Sequence, residues 1–106
     1  MMEQSKDFNK MRAIENQLVR GFILKLLEIT HPQPTPSNAI AMALIENGLV
    51  VNPDISRFVS YLQEKGYIET VDIKLKSLRF DGVMLKLTPQ GVDLLEGTLE
   101  DPGVDI

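Results

Sequence analysis

Apolar residues recur along this chain first with a helical period and then, past the middle, with a strand-like one. From Asp7 to Ile29, the residues Met11, Ile14, Leu18, Phe22, Leu26 and Ile29 recur at spacings of three and four. That spacing predicts an amphipathic helix with this stripe as its apolar face. Arg12, Glu15, Arg20, Lys25 and Glu28 fall mostly between the stripe positions, while Val19, Ile23 and Leu27 widen it. The C-terminal half of the helix is therefore expected to be buried on more than one side. Gly21 costs ~1 kcal/mol of helix propensity relative to Ala, which predicts close approach of another helix. The run His31-Pro32-Gln33-Pro34-Thr35-Pro36 ends the segment, because proline cannot continue a helix and restricts the residue before it. A second helix is predicted from Pro36 or Ser37, capped by Thr35 or Ser37. Its buried face is Ile40, Ala41, Leu44 and Ile45, and Asn47-Gly48 stops it with Gly48 left-handed.

After the apolar link Leu49-Val50-Val51, Asn52-Pro53-Asp54 predicts the start of a third helix, with Asn52 as N-cap and Pro53 at the first helical position. Ile55, Val59 and Leu62 are its expected buried face, with Phe58 beside them, and Gly66 its C-terminal glycine. Ile68 to Leu75 then reads as a strand, with Val71, Ile73 and Leu75 on one side and Asp72, Lys74 and Lys76 on the other. Asp81-Gly82 is a strong two-residue turn signal. Folding about it would pair Phe80 with Val83, Leu78 with Leu85 and Lys76 with Leu87, with a bulge near Ser77. Thr88-Pro89-Gln90-Gly91 caps a last helix that Gly97 stops. The fold class expected is α+β: three helices, a β-hairpin and a short C-terminal helix. Residues 1–97 form the domain, and 98–106 are expected as an acidic, frayed and flexible tail.

The length of 106 residues fits one domain. Absence of cysteine removes any disulfide framework or thiolate metal site. The polar start is unlike a signal peptide, and no apolar run nears the ~20 residues of a membrane span. A cytoplasmic protein without membrane association is expected. The net charge is −4, from 11 basic and 15 acidic residues. Five of the acidic residues (Asp93, Glu96, Glu100, Asp101 and Asp105) follow Gln90, where no Lys or Arg stands. The body is thus close to neutral, unlike a strong nonspecific nucleic-acid binder, although a locally basic face is compatible with that balance.

Two runs carry a resemblance. Leu62-Gln63-Glu64-Lys65-Gly66-Tyr67-Ile68 and Leu87-Thr88-Pro89-Gln90-Gly91-Val92-Asp93-Leu94-Leu95 resemble the two ends of the wing in winged helix-turn-helix proteins, including MarR-like and PadR-like regulators. Over about residues 18–104 the chain is also similar to small winged-helix proteins of Mu-like phages and prophages. The matching features are Leu24-Lys25-Leu26-Leu27, Ser37-Asn38, Asn47-Gly48, Leu62 to Tyr67, Leu87 to Gly91, and Pro102-Gly103-Val104. The chain departs from that pattern in Asp54, in a single Arg57 and in its Asp105-Ile106 end. The resemblance implies a winged helix-turn-helix whose third helix and hairpin wing meet double-stranded DNA, in transcription regulation or a related phage or prophage role.

The residues themselves leave two readings for each candidate surface. Asn52, Ser56, Arg57, Ser60 and Gln63 are chemically able to read base edges in the major groove; equally, they suit a solvated helix face. Lys65, Lys74, Lys76 and Arg79, with Lys86, suit phosphate contacts that position without reading sequence; edge-strand lysines also block sheet-to-sheet aggregation. His31 stands alone, the carboxylates form no evident acid/base pair, and neither a nucleophile elbow nor a phosphate loop is present. A non-enzymatic protein without cofactor or metal is expected. The favoured function is a DNA-binding phage or prophage regulator or accessory factor. The alternative is a protein–protein adaptor in phage assembly or DNA packaging that makes no DNA contact. The long stripe from Met11 to Ile29, ~30 Å at 1.5 Å per residue, also fits homodimerisation through the N-terminal helix. Otherwise it packs wholly on the domain's own helices.

Overall fold

Among the described residues the elements run α1 (Met2–Thr30), β1 (Thr35–Pro36), α2 (Ser37–Glu46), α3 (Ser56–Glu64), β2 (Ile68–Leu75), β3 (Phe80–Leu87) and α4 (Pro89–Glu96). This computed structural model describes the backbone of residues 2–75 and 80–106, and the side chains of 7–71 and 83–106. The class is α+β, with four helices and an antiparallel three-stranded sheet of order β1-β3-β2.

The core gathers α1, α2, α3, α4 and the inner face of the sheet. Ile23, Leu24, Leu27, Leu44, Leu62, Ile68 and Leu85 are its fully enclosed side chains. The expected face of α1 is corrected. Met11, Ile14, Leu18 and Ile29 are exposed, and Phe22 and Leu26 are only partly buried. Val19, Ile23, Leu24 and Leu27 form the face that packs on the body. Two apolar stripes run along one helix, and periodicity alone does not say which of them meets the core. The other helices bury the expected residues: Ile40, Ala41 and Leu44 in α2, and Ile55, Phe58 and Leu62 around α3. Ile45 and Val59 are half-buried instead.

The helix stops fall where glycine is placed, with φ of 71° at Gly48, 81° at Gly66 and 83° at Gly97. The second helix starts at Ser37 as expected, but its cap and the start of α3 differ from expectation. The residue before α2 is Pro36, with no side-chain cap, because Thr35 and Pro36 are drawn into the sheet as β1. Thr35 lies opposite Leu85, and its hydroxyl meets that of Thr30 at 2.6 Å. The residue before α3 is Ile55, not Asn52.

The β2–β3 hairpin is present, but its register is not the one an Asp81-Gly82 turn would set. Ile68 pairs with Leu87, Thr70 with Leu85, Ile73 with Gly82 and Lys74 with Asp81. Asp81 and Gly82 therefore lie within β3, and the connection falls on 76–79, outside the described residues together with Leu78 and the expected bulge at Ser77. The base of the hairpin fixes this register. Ile68, Leu85 and Leu87 are all buried, and Thr88 N–H donates to the Tyr67 carbonyl at 3.1 Å. A turn at Asp81-Gly82 would place Leu87 opposite Lys76 and strip Ile68 of its partner. Burial at the base outweighs a favourable turn dipeptide at the tip.

Candidate functional site

The segment before α3 is built from side chains that hold their own backbone. Asn52 Oδ1 accepts from Asp54 N–H at 2.9 Å, and Asp54 Oδ1 accepts from Ser56 N–H at 3.1 Å and Ser56 Oγ at 2.6 Å. Two successive turns of this kind offer the backbone an alternative to helical bonding, so α3 starts only at Ser56. The Ser56 hydroxyl, and then its amide, hold the Asp54 carboxyl below the usual carboxylate range. The segment therefore presents a negative charge beside the first turn of α3, where the helix dipole favours it.

From there α3 turns Ser56, Arg57, Ser60, Gln63 and Glu64 to solvent and keeps Phe58 and Leu62 inside. The Arg57 guanidinium lies 4.4 Å from the Phe58 ring centre, a distance at which cation and ring attract. Gln63 Nε2 reaches Thr70 Oγ1 at 3.5 Å, the outer limit of a hydrogen bond, and ties α3 loosely to β2. Lys74 stands opposite Asp81 in the ladder, and its side chain lies outside the described residues, as do Lys76 and Arg79. Lys86 pairs with Glu69, so that position is locally neutral. The structure thus brings Ser56, Arg57, Ser60 and Gln63 onto one exposed strip. Asn52 is spent on the turn that precedes it.

Lys65 does not join the strip. Its ammonium lies 3.4 Å from Asp101 Oδ2, at one edge of a cluster that the sequence reading missed. Tyr67 Oη donates to the same oxygen at 2.5 Å, and Gly103 N–H donates to Asp101 Oδ1 at 2.8 Å. Burial, then the Asp101 carboxylate, push the Tyr67 phenol up to about 12. The Tyr67 hydroxyl is the main cause of the depression of Asp101, with Gly103 N–H and Lys65 adding to it against burial. Arg20 lies 3.6 Å above the Tyr61 ring and donates through Nη1 to the Gly103 carbonyl at 3.0 Å.

The C-terminal segment is therefore seated rather than frayed. Val104 is buried, and Asp105 N–H donates to the Gln17 carbonyl at 3.0 Å. A Cβ on Gly21 would stand 1.7 Å from the Asp105 carbonyl oxygen. The neighbour that Gly21 admits is this segment and not another helix. Two signals for it were legible, the helical glycine and the Pro102-Gly103-Val104 run, but neither points to the other in sequence.

A groove of about 470 Å³ runs between α1 and the segment that precedes α3, lined by Glu15, Val19, Val50, Asn52, Asp54 and Arg57 among others. Among the described residues no group of three His, Cys, Asp or Glu side chains is placed to hold a metal ion. No described helix is long and apolar enough to cross a membrane. Compared with known proteins, the chain matches no family model, no curated protein and no solved structure.

Proposed function

We propose that this chain is a winged helix-turn-helix protein that binds double-stranded DNA, as a phage or prophage regulator or accessory factor rather than an enzyme. One observation carries the reading: α3 turns a strip of Ser56, Arg57, Ser60 and Gln63 to solvent and is followed at once by an antiparallel hairpin. A helix of this kind has the hydroxyl, guanidinium and amide groups that meet base edges in a major groove. The hairpin carries Lys74, Lys76 and Arg79 in its sequence, cations suited to flanking phosphates. Arg57 is the residue for base readout, since it sits in the first turn of α3 and is exposed. Lys65, paired with Asp101, contributes less than its position in the sequence suggests.

A second reading, an adaptor between proteins in phage assembly or DNA packaging, is favoured by a different observation. The first part of α1 exposes Phe8, Met11, Ile14 and Leu18, an apolar face of the kind that marks contact with another protein. The two readings separate on Arg57→Ala beside Lys76→Ala, titrated on target and scrambled duplexes. Loss of a bidentate base contact costs ~1–3 kcal/mol and relaxes discrimination. Loss of a phosphate contact weakens all sequences alike and lowers the salt slope by ~1. If Arg57→Ala keeps its fold and changes neither affinity nor discrimination, α3 does not read DNA and the adaptor reading takes its place.

A further inference from the structure

Two cations are gathered on one flank of α3. Tyr61 and Lys65 follow Arg57 at spacings of four, and Lys65 keeps helical angles just past the end of α3 (φ −72°, ψ −12°), so the three stand in line beside the exposed strip. Arg20 of α1 lies 3.6 Å above the Tyr61 ring, and the Lys65 ammonium lies 5.6 Å from the same ring. Like charges brought together in this way repel and favour an anion between them. The C-terminal segment supplies the oxygens. Asp101 Oδ2 takes Lys65 and the Tyr67 hydroxyl, and the Gly103 carbonyl takes Arg20 Nη1. A side chain on Gly103 would run into the Tyr61 hydroxyl, so the segment lies directly on this flank. It does not use every donor there. Among the described residues, Arg20 Nε is a buried donor without a hydrogen-bond partner.

The segment is also lightly held. Residues 101–106 form neither helix nor strand, and Val104 is their one buried side chain. Near its end it is tied to α1 by the Asp105 N–H on the Gln17 carbonyl. A stretch with so few buried apolar contacts opens locally at far lower cost than the core does. Opening carries Asp101 and Asp105 away together, with no Lys or Arg among the residues that move.

We propose that Arg20, Lys65 and Tyr67 form a phosphate seat beside α3 that the chain's own acidic C-terminal strap covers, so that seating of the strap and binding of duplex DNA exclude one another. The proposal rests on the DNA reading of α3 and supplies a control for it. A carboxylate and a phosphate offer the same kind of oxygens to Lys and Arg, so one can replace the other. A duplex phosphate also releases counterions, a gain that grows as salt falls. With the strap down, Lys65 is paired, and the carboxylates of Asp101 and Asp105 repel an approaching phosphate. With the strap lifted, Arg57, Tyr61 bearing Arg20, and Lys65 follow one another in steps of about 6 Å at 1.5 Å per residue. The flank of α3 then becomes a cationic row.

Two substitutions in the full chain lift the strap and keep every charge. Gly21→Ala drives a methyl group into the Asp105 carbonyl, and Val104→Asn removes the buried anchor. Their affinities for a labelled duplex of mixed sequence are measured by fluorescence anisotropy over a salt series, with the helical spectrum of each chain checked. Each lifted chain should bind more tightly than the unaltered one at low salt. Its slope of log affinity on log salt should steepen by ~0.9 for each cation freed, or ~1.8 for Arg20 and Lys65 together. Lys65→Ala should change the slope little in the unaltered chain and take ~0.9 back in the Gly21→Ala chain. Saturating the unaltered chain with duplex should speed hydrogen exchange at the Asp105 amide. If the unaltered chain binds and lifting leaves its affinity and slope unchanged or weakens them, the strap is a brace for α3; the inference is overturned and the DNA reading stands. If no chain binds even at low salt, both are overturned.

Discussion

Replacing Gly21 with Ala should destabilise this protein even though it improves the helix that contains it. In the middle of α1, Ala is better than Gly by ~1 kcal/mol. The new methyl group, however, would stand 1.7 Å from the Asp105 carbonyl oxygen, so the C-terminal segment must move. What it loses by moving is the Asp105–Gln17 bond at 3.0 Å, the Arg20–Gly103 bond at 3.0 Å and the burial of Val104. A backbone hydrogen bond contributes ~1 kcal/mol and one from a charged donor ~1.5–3 kcal/mol. Full burial of a valine adds ~1.5–3 kcal/mol. Releasing the last few residues returns conformational entropy of ~1–2 kcal/mol each. Set against the loss, that recovery for Val104 and Asp105 together with the ~1 kcal/mol of helix propensity leaves Gly21→Ala destabilising by ~1–2 kcal/mol. Urea unfolding of four chains resolves the two effects: the full chain and a chain ending at Asp101, each with and without Gly21→Ala. In the shortened chain the clash is gone, and the same substitution should stabilise by ~1 kcal/mol. A reversal of sign between the two backgrounds is the expected result. If Gly21→Ala is neutral or stabilising in the full chain, the segment is not seated against Gly21.

Other expectations follow from the same geometry. Thr88 Oγ1 accepts from Gly91 N–H at 3.1 Å and donates to the Gly66 carbonyl, so Thr88→Ala should cost ~1–2 kcal/mol in urea unfolding. Asp101 is held below its ordinary value chiefly by the Tyr67 hydroxyl. The stability it adds is present above the unfolded carboxyl value, ~3.9, and is lost as pH falls through the lower folded value; Asp101→Asn should flatten that acid limb. Tyr67 is raised to about 12. Its contribution is whole below the unfolded value, ~10, and is lost as pH rises from there through the folded one. Tyr67→Phe should remove this alkaline limb from a plot of stability against pH. In the hairpin, cross-strand nuclear Overhauser contacts should join Thr70 to Leu85; contacts between Leu78 and Leu85 would restore the register of an Asp81-Gly82 turn.

Helix stops were legible because they rest on local chemistry: Gly48, Gly66 and Gly97 each take positive φ just past a helix, as their sequence positions imply. The Thr88 cap is local in the same way. What depended on distant partners was not legible. The choice between the Met11–Leu18 stripe and the Val19–Leu27 stripe is made by the body that packs on α1. The hairpin register is set by Ile68, Leu85 and Leu87 entering one core, which no dipeptide at the tip reveals. β1 was hidden because Thr35-Pro36 sits in a proline-rich run, where its pairing comes entirely from β3. At the candidate surface, exposure of Arg57, Ser60 and Gln63 follows from the helical period. The pairing of Lys65 with Asp101 joins residues far apart in the chain and needed the fold.

The proposed role stands or falls on a titration of the full chain against duplex DNA at low and at physiological salt. Phosphate contacts displace counterions, so binding through the hairpin cations should weaken steeply with salt, with a slope of log affinity on log salt of roughly −0.9 per phosphate engaged. Three or four such contacts predict a slope of about −3. An absence of binding even at low salt, with the protein folded, would contradict the account.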